Sequence, residues 1–254
     1  MQEKIPVLKE PIRRRGAGKK LLTVLVLLFI VILSVLFFNS SISKISEVTV
    51  EGARFNPQTT ILETAGVKAG DAFFGTREST IAGRVKALSS VKDVKVTKSF
   101  PGRVHISVTE HPAVAYELSA KGNLTAILSN GTSISAGSDN VVDKPVLTGW
   151  KDDDAIKGKL GIALAQIPAE QLSDLSEIIP LPSKAYPDRI KIYTRSRFEV
   201  ITAVSLLKDK IGTLNAVVES QNPGVVTMLL ADSYVSFDPE TPENEDSDQK
   251  ETTQ

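Results

Sequence analysis

Residues 94–109 read VKVTKSFPGRVHISVT, and their pattern decides how the first folded part of the chain is built. Val94 and Val96 alternate with Lys95 and Thr97, while Val104, Ile106 and Val108 alternate with Arg103, His105, Ser107 and Thr109. Alternation of this kind marks two half-buried strands. Between them Phe100-Pro101-Gly102-Arg103 carries proline at i+1 and glycine at i+2, the demand of a type II turn, so the strands are predicted to form a hairpin.

Upstream of the hairpin, Ile81, Val85 and Leu88 recur at i, i+4 and i+7 after Thr76, a candidate N-cap, and Arg84 and Lys86 fall off that stripe. Before it, Asn56-Pro57 supplies a second cap and Gly66 a stop, enclosing a short helix with Ile61 and Leu62 on its apolar side. Earlier still, Val48 and Val50 alternate with Glu47, Thr49 and Glu51 in a strand that ends at Gly52. The predicted order over residues 44–117 is β-α-α-β-β, a small α+β domain with both helices on one face of its sheet.

Ahead of this domain, residues 21–38 read LLTVLVLLFIVILSVLFF, with Thr23 and Ser34 as the only polar positions. At about 1.5 Å rise per residue such a helix spans roughly 27 Å, close to the ~30 Å hydrocarbon core, and uncharged residues continue to Ser43. A transmembrane helix is therefore expected over residues 21–43. Seven basic residues precede it against only Glu3 and Glu10, which places residues 1–20 in the cytoplasm by the positive-inside bias. A cleaved signal peptide fits less well, because its apolar region is shorter and ends in a small-residue site, whereas Phe37 and Phe38 close this run.

Of 30 basic and 30 acidic residues, 23 and 28 lie beyond residue 20, so the outer part is mildly acidic and has no charge pattern suited to nucleic acid. The chain contains no cysteine, which excludes disulfides and thiolate-held metals. After Phe237 the sequence DPETPENEDSDQKETTQ has seven acids, one lysine and no aliphatic or aromatic side chain. Residues 238–254 are expected to form a disordered acidic tail.

A lone β-α-α-β-β unit directly after a membrane helix resembles a POTRA domain of the FtsQ/DivIB family of bacterial cell-division proteins. The residues that carry the likeness are Ile45 to Gly52 in the opening strand and Phe100 to Ala115 in the closing hairpin with its Glu110-His111-Pro112-Ala113 exit. The resemblance implies a single-pass, non-enzymatic protein that binds other division proteins outside the cytoplasm, at the septum. Its implied partners are coiled-coil division proteins of the FtsL and DivIC/FtsB class.

The distal part, residues 118–237, reads as a β-rich α+β domain. Leu124–Leu128 leads into an Asn130-Gly131 hairpin turn, and Pro145 to Gly149 matches a Pro-Val-Leu-Thr-Gly segment that the family often shows. Asp152-Asp153-Asp154 is expected to open a helix bearing Ile156, Leu160, Ala163, Leu164 and Ile167, and Pro168 a second one bearing Leu172, Leu175 and Ile179. Strands are expected at Arg189–Tyr193 and Phe198–Ile201, a helix from about Ala203 to Val218, and final strands at Val225–Leu230 and Tyr234–Phe237. In the family the last strands of this module bind partner subunits. That implies a partner site over Leu229, Leu230, Ala231, Tyr234, Val235, Ser236 and Phe237, with Tyr234 and Phe237 as anchors.

Signals for chemistry are weak. His105 and His111 are the only histidines and do not form a metal-ligand spacing, and the aspartate run lacks the alternating acids and glycine of a calcium loop. Gly70 to Thr76 has the glycines of a phosphate loop without its lysine, and no G-x-S-x-G elbow occurs. No catalytic residue, metal or cofactor is therefore predicted. The competing class is a membrane-tethered cell-envelope enzyme, or a POTRA-containing secretion or assembly factor.

Overall fold

The computed structural model describes residues 17–118, 122–137, 142–151 and 154–237. Those residues divide into two compact units: one holds residues up to 51 together with 58–85 and 94–107, the other 52–57, 86–93 and everything from 108 on.

The first unit begins with helix α1 (Ala17–Asn39), in which Gly18–Asn39 is long and apolar enough overall to cross a membrane and is not covered by protein among the described residues. The helix stops at Asn39, and Ser41–Ser43 form a single 3₁₀ turn. The regular helix therefore ends four residues before the expected residue 43. The Ser43 hydroxyl lies 2.7 Å from the Phe38 carbonyl and 2.9 Å from that of Ser40, drawing the chain out of the helical path.

Strand β1 (Glu47–Glu51), helices α2 (Gln58–Ala65) and α3 (Glu78–Lys86), and strands β2 (Val91–Ser99) and β3 (Arg103–Glu110) follow in the predicted order. The sheet order is β1-β3-β2, with β1 parallel to β3 and Val50 opposite Ile106. Ile61, Ala65, Ile81, Val85, Val104 and Ile106 are buried as predicted, whereas Leu62 is only half-buried and Leu88, also half-buried, lies beyond the end of α3. Gly66 adopts φ +63°, the left-handed stop expected of it, and at the hairpin tip Gly102 has φ +72° beside a cis Phe100–Pro101 bond.

The second unit is built on a nine-stranded sheet. Its strands are β4 (Ala113–Leu118), β5 (Leu124–Leu128), β6 (Ser133–Ser135), β7 (Val146–Leu147), β8 (Leu175–Pro180), β9 (Arg189–Thr194), β10 (Glu199–Ala203), β11 (Gly224–Met228) and β12 (Asp232–Ser236). They lie in the order β12-β11-β10-β9-β8-β7-β4-β5-β6. Residues 113–117, expected in the proximal domain, belong to this sheet as β4. Their pairing with β5 and β7 and the burial of Val114, Ala115 and Tyr116 hold them there.

Helices α4 (Ala155–Ala165), α5 (Ala169–Leu172) and α6 (Leu207–Ser220) complete the unit. Asp154 caps α4 by accepting from the Ile156 amide at 2.9 Å, and Leu160, Leu164, Leu207, Ile211 and Leu214 enter one core with the inward side chains of the sheet. Asp152, Asp153 and the acidic tail lie outside the described residues.

The second helix of the distal part differs from expectation. It ends at Leu172, and Leu175–Pro180 is the strand β8 between β7 and β9. A register shift between Leu175 and Glu177 inserts one extra residue, so the buried side chains Leu175 and Ile178 fall three apart instead of two. A bulged strand thus imitates helical spacing.

Candidate partner-binding edge

The chain reaches its last two strands through the turn at Asn222-Pro223-Gly224. A Cβ on Gly224 would stand 2.3 Å from the Val235 carbonyl oxygen, so β12 approaches β11 here at a distance that only glycine allows. Along β11, Val226 and Met228 are buried and Val225 and Thr227 half-buried, the signature of a strand with one face on the core. Beyond it β12 is the end of the sheet: it pairs with β11 from Asp232 opposite Met228 to Ser236 opposite Gly224, and no strand among the described residues pairs with its other side.

The seven residues expected to form a partner site are brought together but divide into two groups. Leu229, Leu230 and Ala231 are not on a strand; they make the turn between β11 and β12, with Leu230 92% exposed. On β12, Val235 is 64% exposed, and Phe237, just past its end and on the same face, is 49% exposed.

Tyr234 takes the opposite face. Its ring packs on the distal core with its centroid 6.5 Å from that of Phe198, and its hydroxyl donates to the Asn222 carbonyl at 2.7 Å. Tyr234 is thus half-buried, its ring packed on the core while its hydroxyl bond lies at the surface. Alternation along the strand decides this: one residue in two must face the core. At the start of β12, Lys210 of α6 holds both carboxylate oxygens of Asp232 at 2.9 Å and fixes the strand's entry.

Elsewhere polar side chains serve the fold. The carboxylate of Glu110 accepts from the amides of Arg54, Phe55 and Asn56 at 2.7 to 3.1 Å and from the Asn56 side chain at 2.6 Å, tying the exit of β3 to the segment after β1. Asn56 thus works as a donor to Glu110 and Ser90 and not as the predicted helix cap. His105 bridges Thr49 and Glu51 at 2.9 and 2.8 Å, and His111 contacts Ser129 at 3.2 Å. Glu51 is held below the usual glutamate value by its hydrogen bond and charge contact with His105. Lys191 is raised by its hydrogen bond to Glu199, 2.6 Å away, and by Tyr193. Among the described residues no three histidine, aspartate or glutamate side chains gather as a metal would require. The Trp150 indole is buried and donates to the Ile178 carbonyl at 3.0 Å.

An apolar helix followed by one small β-α-α-β-β unit and a larger sheet defines a class of membrane-anchored POTRA proteins. Residues 43–111 match the model of the POTRA domain of FtsQ type. The chain is 49% identical to a cell division protein DivIB of Paenibacillus polymyxa over 98% of both chains. It is 29% identical to a DivIB of Geobacillus kaustophilus, covering 98% of this chain and 95% of that one, and 23% identical to a DivIB of Bacillus subtilis, covering 93% and 90%. The chain belongs to the DivIB family of cell-division proteins and is a single-pass membrane protein. The solved major extracytoplasmic domain of DivIB from Geobacillus stearothermophilus aligns with 43% of this chain and 92% of its own length at 29% identity, with a TM-score of 0.38 that is too low to bear on the fold.

Proposed function

We propose that the chain is a non-enzymatic scaffold of the division machinery. Residues 1–20 lie in the cytoplasm and the two folded units outside it, at the septum, where they bind other membrane division proteins and support septal cell-wall synthesis. The charge bias ahead of the apolar run supports the orientation: seven basic residues against two acidic ones precede Leu21.

One observation carries the binding role. Among the described residues β12 is the last strand of the sheet, and Val235 on it and Phe237 just beyond it are exposed to solvent on one face, where a sheet edge is more often charged or covered. Such an edge accepts an extended segment of another chain, with main-chain hydrogen bonds supplying affinity and the exposed side chains supplying selectivity. The partners in this reading are the FtsL and DivIC/FtsB class of coiled-coil division proteins.

The test is binding of those proteins to the full-length chain in detergent. Val235→Lys combined with Phe237→Lys should weaken binding by about tenfold or more, since exposed apolar anchors dominate interface energies. Melting should be unchanged, and removal of residues 239–254 should leave binding intact. Binding that survives the double change would place the site away from β12.

A further inference from the structure

Five phenylalanine rings run in a chain from the end of α1 to the tip of the β2–β3 hairpin. Phe37 and Phe38, in the last turn of α1, lie 6.2 and 6.4 Å from Phe74 by ring centroid, and Phe74 lies 5.1 Å from Phe73 and 6.4 Å from Phe100. Phe73 and Phe100 are 6.1 Å apart. All of these are separations at which aromatic rings interact. Phe73 is buried, but Phe38, Phe74 and Phe100 remain 61, 57 and 56% exposed, and Ile42 in the 3₁₀ turn is 52% exposed. An apolar patch of this kind on a folded surface calls for an occupant.

Backbone hydrogen bonds set where the patch sits. The Phe73 amide donates to the Ser43 carbonyl at 2.9 Å, the Ile45 amide to Asp71 at 2.7 Å, and the Gly70 amide to Ile45 at 2.8 Å, so the 70–75 loop is laced to the segment that leaves α1. The hairpin tip is held to the same segment: the Ser46 amide donates to the Gly102 carbonyl at 2.7 Å, and a Cβ on Gly102 would stand 2.5 Å from the Lys44 carbonyl oxygen. Both ring-bearing loops are thus fixed within a few residues of the point where the membrane helix ends. Cations accompany them. The Lys98 amine donates to the Phe73 and Thr76 carbonyls and lies 4.5 Å from the Phe73 ring centroid, and Lys44 and Arg103 are exposed.

We infer that Phe74 and Phe100, continued by Phe38 and Ile42, seat the proximal unit on the lipid surface at the C-terminal end of α1. The occupant is a bilayer containing anionic headgroups. Continuity decides for lipid: Phe37 and Phe38 belong to the apolar helix itself, and the exposed rings of Phe74 and Phe100 continue that surface above the buried Phe73. Phenylalanine on the apolar face of an interfacial segment buries at the boundary between headgroups and acyl chains, and neighbouring lysine and arginine meet the headgroup phosphates. The patch goes beyond the scaffold role and does not depend on where partners bind. It limits the tilt of the proximal unit, so the direction in which the chain leaves the membrane is set by these loops.

Because the chain has no cysteine, each introduced one is unique. Full-length protein carrying Phe74→Cys, Phe100→Cys or Lys95→Cys is nitroxide-labelled and reconstituted into vesicles of phosphatidylethanolamine and phosphatidylglycerol. Collision with oxygen, which partitions into lipid, is then compared with collision with a water-soluble nickel chelate. Lys95 is exposed on β2, five residues and therefore roughly 16 Å along the strand from Phe100, so it serves as the aqueous reference. Labels at 74 and 100 should favour oxygen and shift the depth parameter to the lipid side, while the label at 95 stays on the aqueous side. Labels at 74 and 100 that match the one at 95 would overturn the inference. So would labels shielded from both reagents with spectra broadened by a neighbouring label, because the patch would then be covered by a second copy of the chain.

Discussion

Lys157 on α4 places its amine 2.9 and 2.8 Å from the two carboxylate oxygens of Glu117 on β4, with the side chains only 4% and 13% exposed. Two charges are thus paired away from water among apolar neighbours. Removing one partner leaves the other buried and unpaired, whereas replacing both by apolar groups can be neutral. Lys157→Met alone should therefore destabilise the distal unit by about 3–5 kcal/mol, and adding Glu117→Leu should recover most of the loss. Urea unfolding of the full-length protein in detergent, followed through Trp150, measures both.

In the proximal unit, Val85 and Ile106 are both inaccessible to solvent. Truncating either to alanine should cost on the order of 1–4 kcal/mol, from lost methyl burial and the cavity left behind. His105, one residue from Ile106 on the other face of β3, should cost about 1 kcal/mol or less when changed to alanine, because its contacts with Glu51 and Thr49 are at the surface. Thermal melts give the ranking, and a larger loss at His105 would mean that β3 is shifted by one residue.

Glu51 links that surface contact to pH. Its folded value lies below the usual glutamate value of 4.5, chiefly through the hydrogen bond from His105. A lowered carboxyl value contributes stability that is present above the unfolded value and is lost as pH falls through the folded one. The stability difference between the unchanged protein and Glu51→Gln should hold at neutral pH and shrink as pH drops below 4.5. In a His105→Ala background that dependence should be weaker, which a series of denaturation curves at stepped pH would register.

Orientation can be read with single cysteines. Gln221→Cys, exposed in the turn before β11, should react with an impermeant thiol reagent in cells with a permeable wall, and Gln2→Cys should not. The reverse labelling would invert the topology.

Several elements were legible in residues alone, because local patterns specify them. An uninterrupted apolar run of membrane length has no stable place in water, and the alternation at Val104, Ile106 and Val108 sorts side chains to two faces. The left-handed glycines at 66 and 131 mark turns that other residues adopt only with strain. These signals act within a few residues and need no knowledge of what lies across the fold.

Tertiary structure decided the rest. Leu175 and Ile178 carry helical spacing, yet burial between β7 and β9 makes their segment a bulged strand. Lys157 lies beside an apolar stripe whose partner, Glu117, is 40 residues away, and Glu110 gathers amides more than 50 residues upstream, so neither contact leaves a local trace. At the sheet edge, the sequence by itself pointed to a strand over Tyr234 to Phe237. Only the pairing of β12 with β11 turned Tyr234 onto Phe198 and left Val235 and Phe237 in solvent, since which face of a strand is buried depends on what packs against it.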